Sequence, residues 1–229
     1  MLEILRCLGE GREGIAQRVS SCGLEPALKQ GAEMIHWGQP ESDADPDVKI
    51  GKGVAIIQQG SGLPGLDSAN ATVTLLADGT LMLLSGGTDM GTGLDTLTTK
   101  MVAECLCAEM GDVALIAADT DVTPYDDGAY ASSGTFFSGT AALKAAQGLK
   151  IKLISAAAQM IGEPEGDLRV VFPSTVQGNK QSVTYRDIAR FTQSGTGSGP
   201  LTCAENFTTD KAAFPYGAHF CQVAVNTRT

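Results

Sequence analysis

Positive charge is in short supply in this chain. Its 229 residues hold 16 lysines and arginines against 26 aspartates and glutamates, a formal net charge of −10. A nucleic-acid groove or an anionic membrane surface needs a concentrated positive field, so neither partner is expected. Long apolar runs are missing too: nothing approaches the roughly 18 residues of a membrane span, and "MLEILRCLGEGREG" has no signal-peptide core. The six cysteines, Cys7, Cys22, Cys105, Cys107, Cys203 and Cys221, include no CxxC pair. Cys105 and Cys107 are too close for a disulfide within a helix and lack zinc or iron–sulfur spacing. All six read as reduced thiols in a cytoplasmic protein. Histidine is nearly absent. His36 and His219 each sit beside an aromatic residue, Trp37 and Phe220, which favours a packed or surface role over a ligand role.

What is abundant is apolar and small. Hydrophobic residues make up 43% and charged residues 18%, a globular composition. Helical spacing of Leu24, Leu28, Ala32 and Ile35 marks residues 1–37 as an N-terminal helical segment. A polar loop, "GQPESDADPDVK", follows at 38–49. Strands are expected at 53–59, 71–76 and 80–85, the last two joined by an "ADG" hairpin turn. A helix is expected after Gly93, with Leu94, Leu97, Met101, Cys105 and Ala108 in one stripe. Thr92 and Asp95 fit its start signal. Residues 112–120 read as a strand and 124–139 as a long loop. A helix from about Thr140 to Ile161, striped by Ala142, Ala146, Leu149, Leu153, Ala157 and Met160, is stopped by Gly162. "DLRVVF" reads as a strand, the segment with Tyr185, Arg186 and Asp187 as the start of a short helix, and "HFCQVAVN" as a last strand. Helices mixed with strands and a hairpin give an α+β class. The expected division is an α/β core at 38–162 carrying two glycine-rich loops, and a C-terminal α+β segment at 163–229.

Those loops are the informative part. "GGTDMGTGLDT", Gly86 to Thr96, contains neither lysine nor arginine, yet it ends a strand and opens a helix. Such a turn presents unpaired N–H groups at the positive end of a helix dipole, a ready anion site. Ala131–Gly139 repeats the arrangement and adds the hydroxyls of Ser132, Ser133 and Thr135. No Walker ending and no Rossmann βαβ setting accompanies either loop. Asp119, Asp126 and Asp127 could hold a hard cation, but capping or solvating their loop is the expected role. No GxSxG nucleophile turn is present.

In order along the chain, "GGTDMGTGLDTLTTKMVAECL" and "AADTDVTPYDDGAYASSGTFFSGTAALKAA" closely resemble the molybdenum-cofactor-binding subunits of the xanthine dehydrogenase and aldehyde oxidase family. "LEILRCLGEGREGIAQRVSSCGLEPAL", "GKGVAIIQQGSGLPG" and "HFCQVAVNTRT" resemble further segments of its second cofactor-binding region, so the similarity runs through most of the chain. The resemblance implies an α+β fold like part of that region. It implies pterin and phosphate contacts at Met90, Gly91, Thr92, Gly93, Leu94 and Asp95, and dinucleotide or phosphate contacts at Ser132, Ser133, Gly134 and Thr135. Where many members have glutamine this chain has Thr92, too short for the contact that glutamine makes to the metal's oxo ligand. An arginine common in the second loop is absent. "GEPEG" at Gly162–Gly166 imitates the family's glycine–glutamate base motif, but Gly162 ends a helix and the family's glutamate lies beyond a strand like the final one here. Neither the phenylalanine–glycine–glycine turn nor the FRGFG turn of the family occurs in the chain.

The implied function is the cofactor-binding portion of a molybdenum hydroxylase that oxidises an N-heterocycle or aldehyde with water as oxygen source. The implied cofactor is molybdopterin with molybdenum, the cytosine dinucleotide form being one option. Implied partners are the remaining molybdenum-subunit segments and iron–sulfur and flavin subunits or domains. Two alternatives stay open: a non-catalytic fragment or remnant, and a split subunit that needs partner chains for activity.

Overall fold

The computed structural model describes residues 22–40, 45–194, 199–211 and 213–228. The expected helical reading of residues 1–21 lies outside them. The chain divides into two compact units, one formed by residues up to Ser61 together with those from Lys211 onward, the other by Gly62–Asp210.

In the first unit, helix α1 (Leu24–Met34) precedes the long strand β1 (Val48–Gln58), which pairs antiparallel with the last strand, β9 (Tyr216–Asn226). Both strands are longer than their apolar patterns suggested, because the ladder continues through Lys49, Gly51 and Gly53 on one side and Tyr216 and Gly217 on the other. The helix packs on β9 where Gly31 meets the Phe220 ring, and Trp37 stacks edge-on against that ring at 5.9 Å. Both histidines are exposed.

The second unit is built on a four-stranded sheet in the order β4 (Val113–Ala117), β3 (Leu81–Ser85), β2 (Ser68–Leu75), β8 (Thr202–Thr208). Side chains of β2 and β3 alternate strictly between buried and half-buried, the period-two pattern of a sheet with one covered face. The expected hairpin joins them: Leu76 N–H donates to Thr80 O at 2.8 Å, and the Asp78 carboxylate accepts from the Thr80 amide and hydroxyl. Between β3 and the parallel strand β4 the chain crosses through α2 (Leu94–Cys105). β4 is shorter than the expected 112–120, ending where Ala118 turns to φ 54°.

Helix α3 (Phe137–Ile161) covers the buried sheet face. Ala141, Ala142, Ala145, Ala146, Leu149, Leu153 and Ala157 are sealed in the core with Val73, Leu75, Leu81 and Leu83. Each buried leucine contributes about 1.5–3 kcal/mol. Alanines let the helix axis approach the strands closely, and Gly148 closes the gap further: a Cβ there would lie 2.3 Å from Cys203 Sγ. The helix begins three residues before Thr140 because Phe137 is buried in an aromatic cluster with Phe136 and Phe207. Gly162 ends it at φ 71°, as expected. Met160 points outward rather than joining the core stripe.

Beyond α3, a three-stranded antiparallel sheet, β5 (Arg169–Val171), β6 (Thr175–Gln177) and β7 (Ser182–Thr184), leads into α4 (Tyr185–Gln193). Only the first of these strands was legible. Thr184 and Asp187 form a reciprocal capping box at the start of α4. The buried Tyr185 hydroxyl donates to Leu106 O at 2.6 Å, tying α4 to the end of α2, and burial raises its phenol pKa.

Candidate functional site

Both glycine-rich loops lie at one end of the second unit, where β3 leads into α2 and the 119–136 segment leads into α3. They meet. A Cβ on Gly134 would sit 3.3 Å from Leu94 Cδ2, and one on Gly87 would sit 2.9 Å from Ser138 Oγ and 3.1 Å from Leu94 Cδ2. Leu94 is the contact between the N-terminal turns of the two helices, which explains its burial at 5% exposure.

The first turn is organised differently from the expected Thr92–Asp95 start. The residue before α2 is Gly93 in a left-handed conformation, φ 80°, and no side chain caps the helix from that position. The cap comes from Asp89. Its Oδ1 accepts the amides of Gly91 at 2.8 Å and Gly93 at 3.1 Å, and its Oδ2 accepts the Asp95 amide at 3.2 Å. An aspartate just before a glycine pair is the composition of such a side-chain turn. The amide of Gly91, followed by those of Asp95, Gly93 and Thr92, holds the Asp89 carboxyl below its ordinary pKa. Asp95 moves the other way, raised by desolvation and then by the Asp89 charge. Met90, Gly91, Thr92 and Gly93 are exposed, with Met90 at 66%. Gly91 and Gly93 both have positive φ, and no atom of the described residues comes within 4 Å of a Cβ placed on either.

The second loop is pinned from inside by carboxylates. Asp126 accepts the Gly128 amide at 2.9 Å and the Ser138 hydroxyl at 2.7 Å. Asp127 accepts the Ser68 amide and the Tyr125 hydroxyl, and these bonds lower its pKa, Tyr125 first. The buried Asp67 accepts the Tyr130 hydroxyl at 2.7 Å, a bond that pushes the Tyr130 phenol up to about 12. These bonds shape the 124–139 loop and consume the carboxylates once considered for a cation. Asp119 likewise accepts the Asp121 amide, and no cluster of metal-ligating side chains occurs among the described residues.

Within this loop Ser133 is buried and donates to Gly128 O at 3.1 Å. Ser132 and Thr135 are exposed and Gly134 half-buried. The amides of Gly134, Thr135 and Phe136 have no acceptor among the described residues, and the first turn of α3 contains no acidic residue. The two loops that carry the ten expected residues thus touch at Leu94 and Gly134, with Leu94 and Ser133 buried. Asp126 and Asp127 take the loop-capping role expected of them, whereas Asp89, Asp67, Tyr130 and Ser138 were missed as groups that shape the loops. Glu163 of "GEPEG" lies elsewhere in the unit. Its carboxylate accepts the amides of Asn179 at 2.7 Å, Lys180 at 3.2 Å and Gln181 at 3.2 Å, closing the turn between β6 and β7.

A sequence model described as "Molybdopterin cofactor-binding domain" matches residues 30–229. The chain belongs to the molybdopterin cofactor-binding domain family. This cofactor-binding domain is 48% identical, over all 229 residues, to the Escherichia coli K12 protein named probable hypoxanthine oxidase XdhD, and covers 24% of it. It is 33% identical over 178 residues, 73% of its length, to the xanthine dehydrogenase molybdenum-binding subunit of Escherichia coli O157:H7, again covering 24% of that protein. Among solved structures it is similar to reconstituted CO dehydrogenase from Oligotropha carboxidovorans, with a TM-score of 0.77 at 21% identity. That match covers 92% of this chain and 29% of the other. The domain therefore spans about a quarter of the length of the curated relatives it matches, and corresponds to a molybdopterin-binding portion of xanthine dehydrogenase-like proteins. Its α+β architecture agrees with that of the solved relative. No described helix is long and apolar enough to cross a membrane.

Proposed function

We infer that the joined loops form one wall of a molybdopterin cradle in a molybdenum hydroxylase that oxidises an N-heterocycle or aldehyde with water as oxygen source. The observation that supports this reading is the meeting of the α2 and α3 N-terminal turns across Leu94. The fit to such a cofactor has two parts. Gly91 and Gly93 leave room above an exposed turn, and the Gly134, Thr135 and Phe136 amides point from a helix end free of acidic residues.

Met90, Gly91, Thr92, Gly93, Leu94 and Asp95 would border the pterin. Ser132, Ser133, Gly134 and Thr135 would border the phosphate end, Leu94 and Ser133 acting by holding the backbone rather than by side-chain contact. When bound, the cofactor supplies two-electron redox chemistry at its metal. This chain's part is preorganised positioning and electrostatics. Glu163 is committed to its turn and is not proposed as a base toward the cofactor. The finer elements of the proposal are the cytosine dinucleotide form of the cofactor, iron–sulfur and flavin partners, a cytoplasmic location, and residues 38–162 as the core bearing both loops.

A second reading, a split subunit that is complete only with partner chains, is favoured by the β1–β9 ribbon. It exposes the apolar side chains of Val54 and Ile56 on one face and of Ile57, Val223 and Val225 on the other, which partner surfaces would cover. The test is to purify the chain alone, measure molybdenum by elemental analysis, and follow dye reduction with aldehydes and N-heterocycles. Helix ends supply up to about 2 kcal/mol each, far from the roughly 12 kcal/mol of nanomolar retention, so neither metal nor turnover is expected. Stoichiometric molybdenum with turnover would overturn the one-wall reading.

A further inference from the structure

The two loops look alike in sequence, yet the structure gives their helix ends opposite electrostatic character. At α2 the amides of Gly91, Gly93 and Asp95 converge on the Asp89 carboxylate, and a second carboxylate, Asp95, stands in the first helical turn. At α3 the first turn has no acidic residue, and the amides of Gly134, Thr135 and Phe136 have no acceptor among the described residues. The Asp126 carboxylate, bonded to Ser138 in the first turn, is spent on the Gly128 amide and the Ser138 hydroxyl.

We propose that Asp89 is the resident anion of the first turn, a positioning residue that occupies the amide nest and thereby excludes phosphate from the α2 end. A nest of backbone N–H groups takes one anion at a time. With Asp89 seated, the inward amides are used, and the exposed face of Met90–Gly93 is left to an uncharged part of a ligand. The carboxylates of Asp89 and Asp95 repel a phosphate from that face. The same residue fixes the turn, because three hydrogen bonds to one side chain hold Gly91 and Gly93 in their positive-φ conformations. Loops that read as duplicates therefore divide the work, neutral recognition at the first and anion recognition at the second.

The inference deepens the cradle reading, and it is testable without any cofactor. Inorganic pyrophosphate is titrated into the 229-residue chain while backbone amide resonances and hydrogen exchange are followed by NMR. In the wild type, the Gly91, Gly93 and Asp95 amides are expected to stay unmoved by pyrophosphate. In Asp89→Ala they should exchange at least about tenfold faster, shift on pyrophosphate addition and regain protection as the added anion replaces the missing carboxylate. Asp89→Asn keeps an oxygen acceptor without the charge and should lose part of the protection, which gives a second measurement should the alanine variant fail to fold. Saturable shifts of the wild-type Gly91, Gly93 and Asp95 amides would overturn the proposal. So would unchanged protection in Asp89→Ala, or wild-type protection in Asp89→Asn. Shifts at Gly134 and Thr135 report on the cradle separately, so either idea can fail while the other stands.

Discussion

Replacing Gly86 with alanine should be the most damaging single-methyl change in the two loops. The added Cβ would fall 2.2 Å from Pro124 O, 2.7 Å from Asp126 Cβ and 3.0 Å from Asp126 N. All three lie on or beside backbone, so no flexible tip can yield, and the 124–126 segment must retreat by about an ångström to restore normal contact. That segment is fastened by Asp126 to the Gly128 amide and the Ser138 hydroxyl. Overpacking costs about 1–3 kcal/mol, and weakening two hydrogen bonds adds about 1 kcal/mol. The expected loss is about 3 kcal/mol, a fall in Tm of roughly 6–12 °C for a unit of about 150 residues. Gly134→Ala is the matched control, since its Cβ would meet only the tip of Leu94 at 3.3 Å, and it should cost less than about 1 kcal/mol. Urea and calorimetric unfolding of both variants decide the matter. A Gly86→Ala protein within about 0.5 kcal/mol of wild type, or a Gly134→Ala protein equally damaged, would refute the reasoning.

Other outcomes follow from the same geometry. Gly91→Val and Gly93→Val, each at a positive φ that costs a branched residue about 1–3 kcal/mol, should strip molybdenum and pterin from the assembled enzyme. Thr92→Ala should leave most of both in place, and metal content of the purified complex is the readout. Glu163→Gln should speed exchange of the Asn179, Lys180 and Gln181 amides while leaving turnover of the assembled enzyme unchanged; lost turnover would return Glu163 to candidacy as a base. The Tyr130 phenol titrates at about 12 when folded and near 10 when unfolded, so its stabilising contribution is whole below pH 10 and vanishes as pH rises through about 12. Ultraviolet titration of Tyr130→Phe should lack that late phenolate, and an unchanged curve would contradict the Asp67 bond.

Local signals were legible where one short stretch decides the outcome. The "ADG" turn, the Gly162 stop and the alanine–leucine stripe of α3 are each set by neighbours within a few residues. What could not be read depends on distant partners. Thr92 fits a helix-start pattern, yet Asp89 reaches the amides first because the left-handed Gly93 turns them back toward it. Phe137 lies in what reads as loop, and enters α3 because Phe207, seventy residues later, supplies its aromatic pocket. β8 had no strand signal that was read in the sequence and is held by its pairing with β2, whereas the β9 pattern says strand but not that β1 is its partner. The candidate site followed the same rule: glycines and hydroxyls marked both loops and Asp126 and Asp127 read as loop caps, whereas the parts played by Asp89 and Asp67 became visible only in their hydrogen bonds.

The β1–β9 ribbon has a consequence for the order of folding. Its strands flank about 150 residues, and bringing the ends of an unfolded segment of that length together costs about 4 kcal/mol in chain entropy. Gly62–Asp210 removes most of that cost once folded, because its own ends meet where the Gly65 amide donates to Thr209 O at 2.8 Å. The ribbon then has to close only a chain loop whose ends are already held together. The eleven-residue ladder from Val48–Asn226 to Gln58–Tyr216 should therefore zip last on refolding. A core mutation such as Leu149→Ala, made far away in sequence, should unzip it without touching a single ribbon residue.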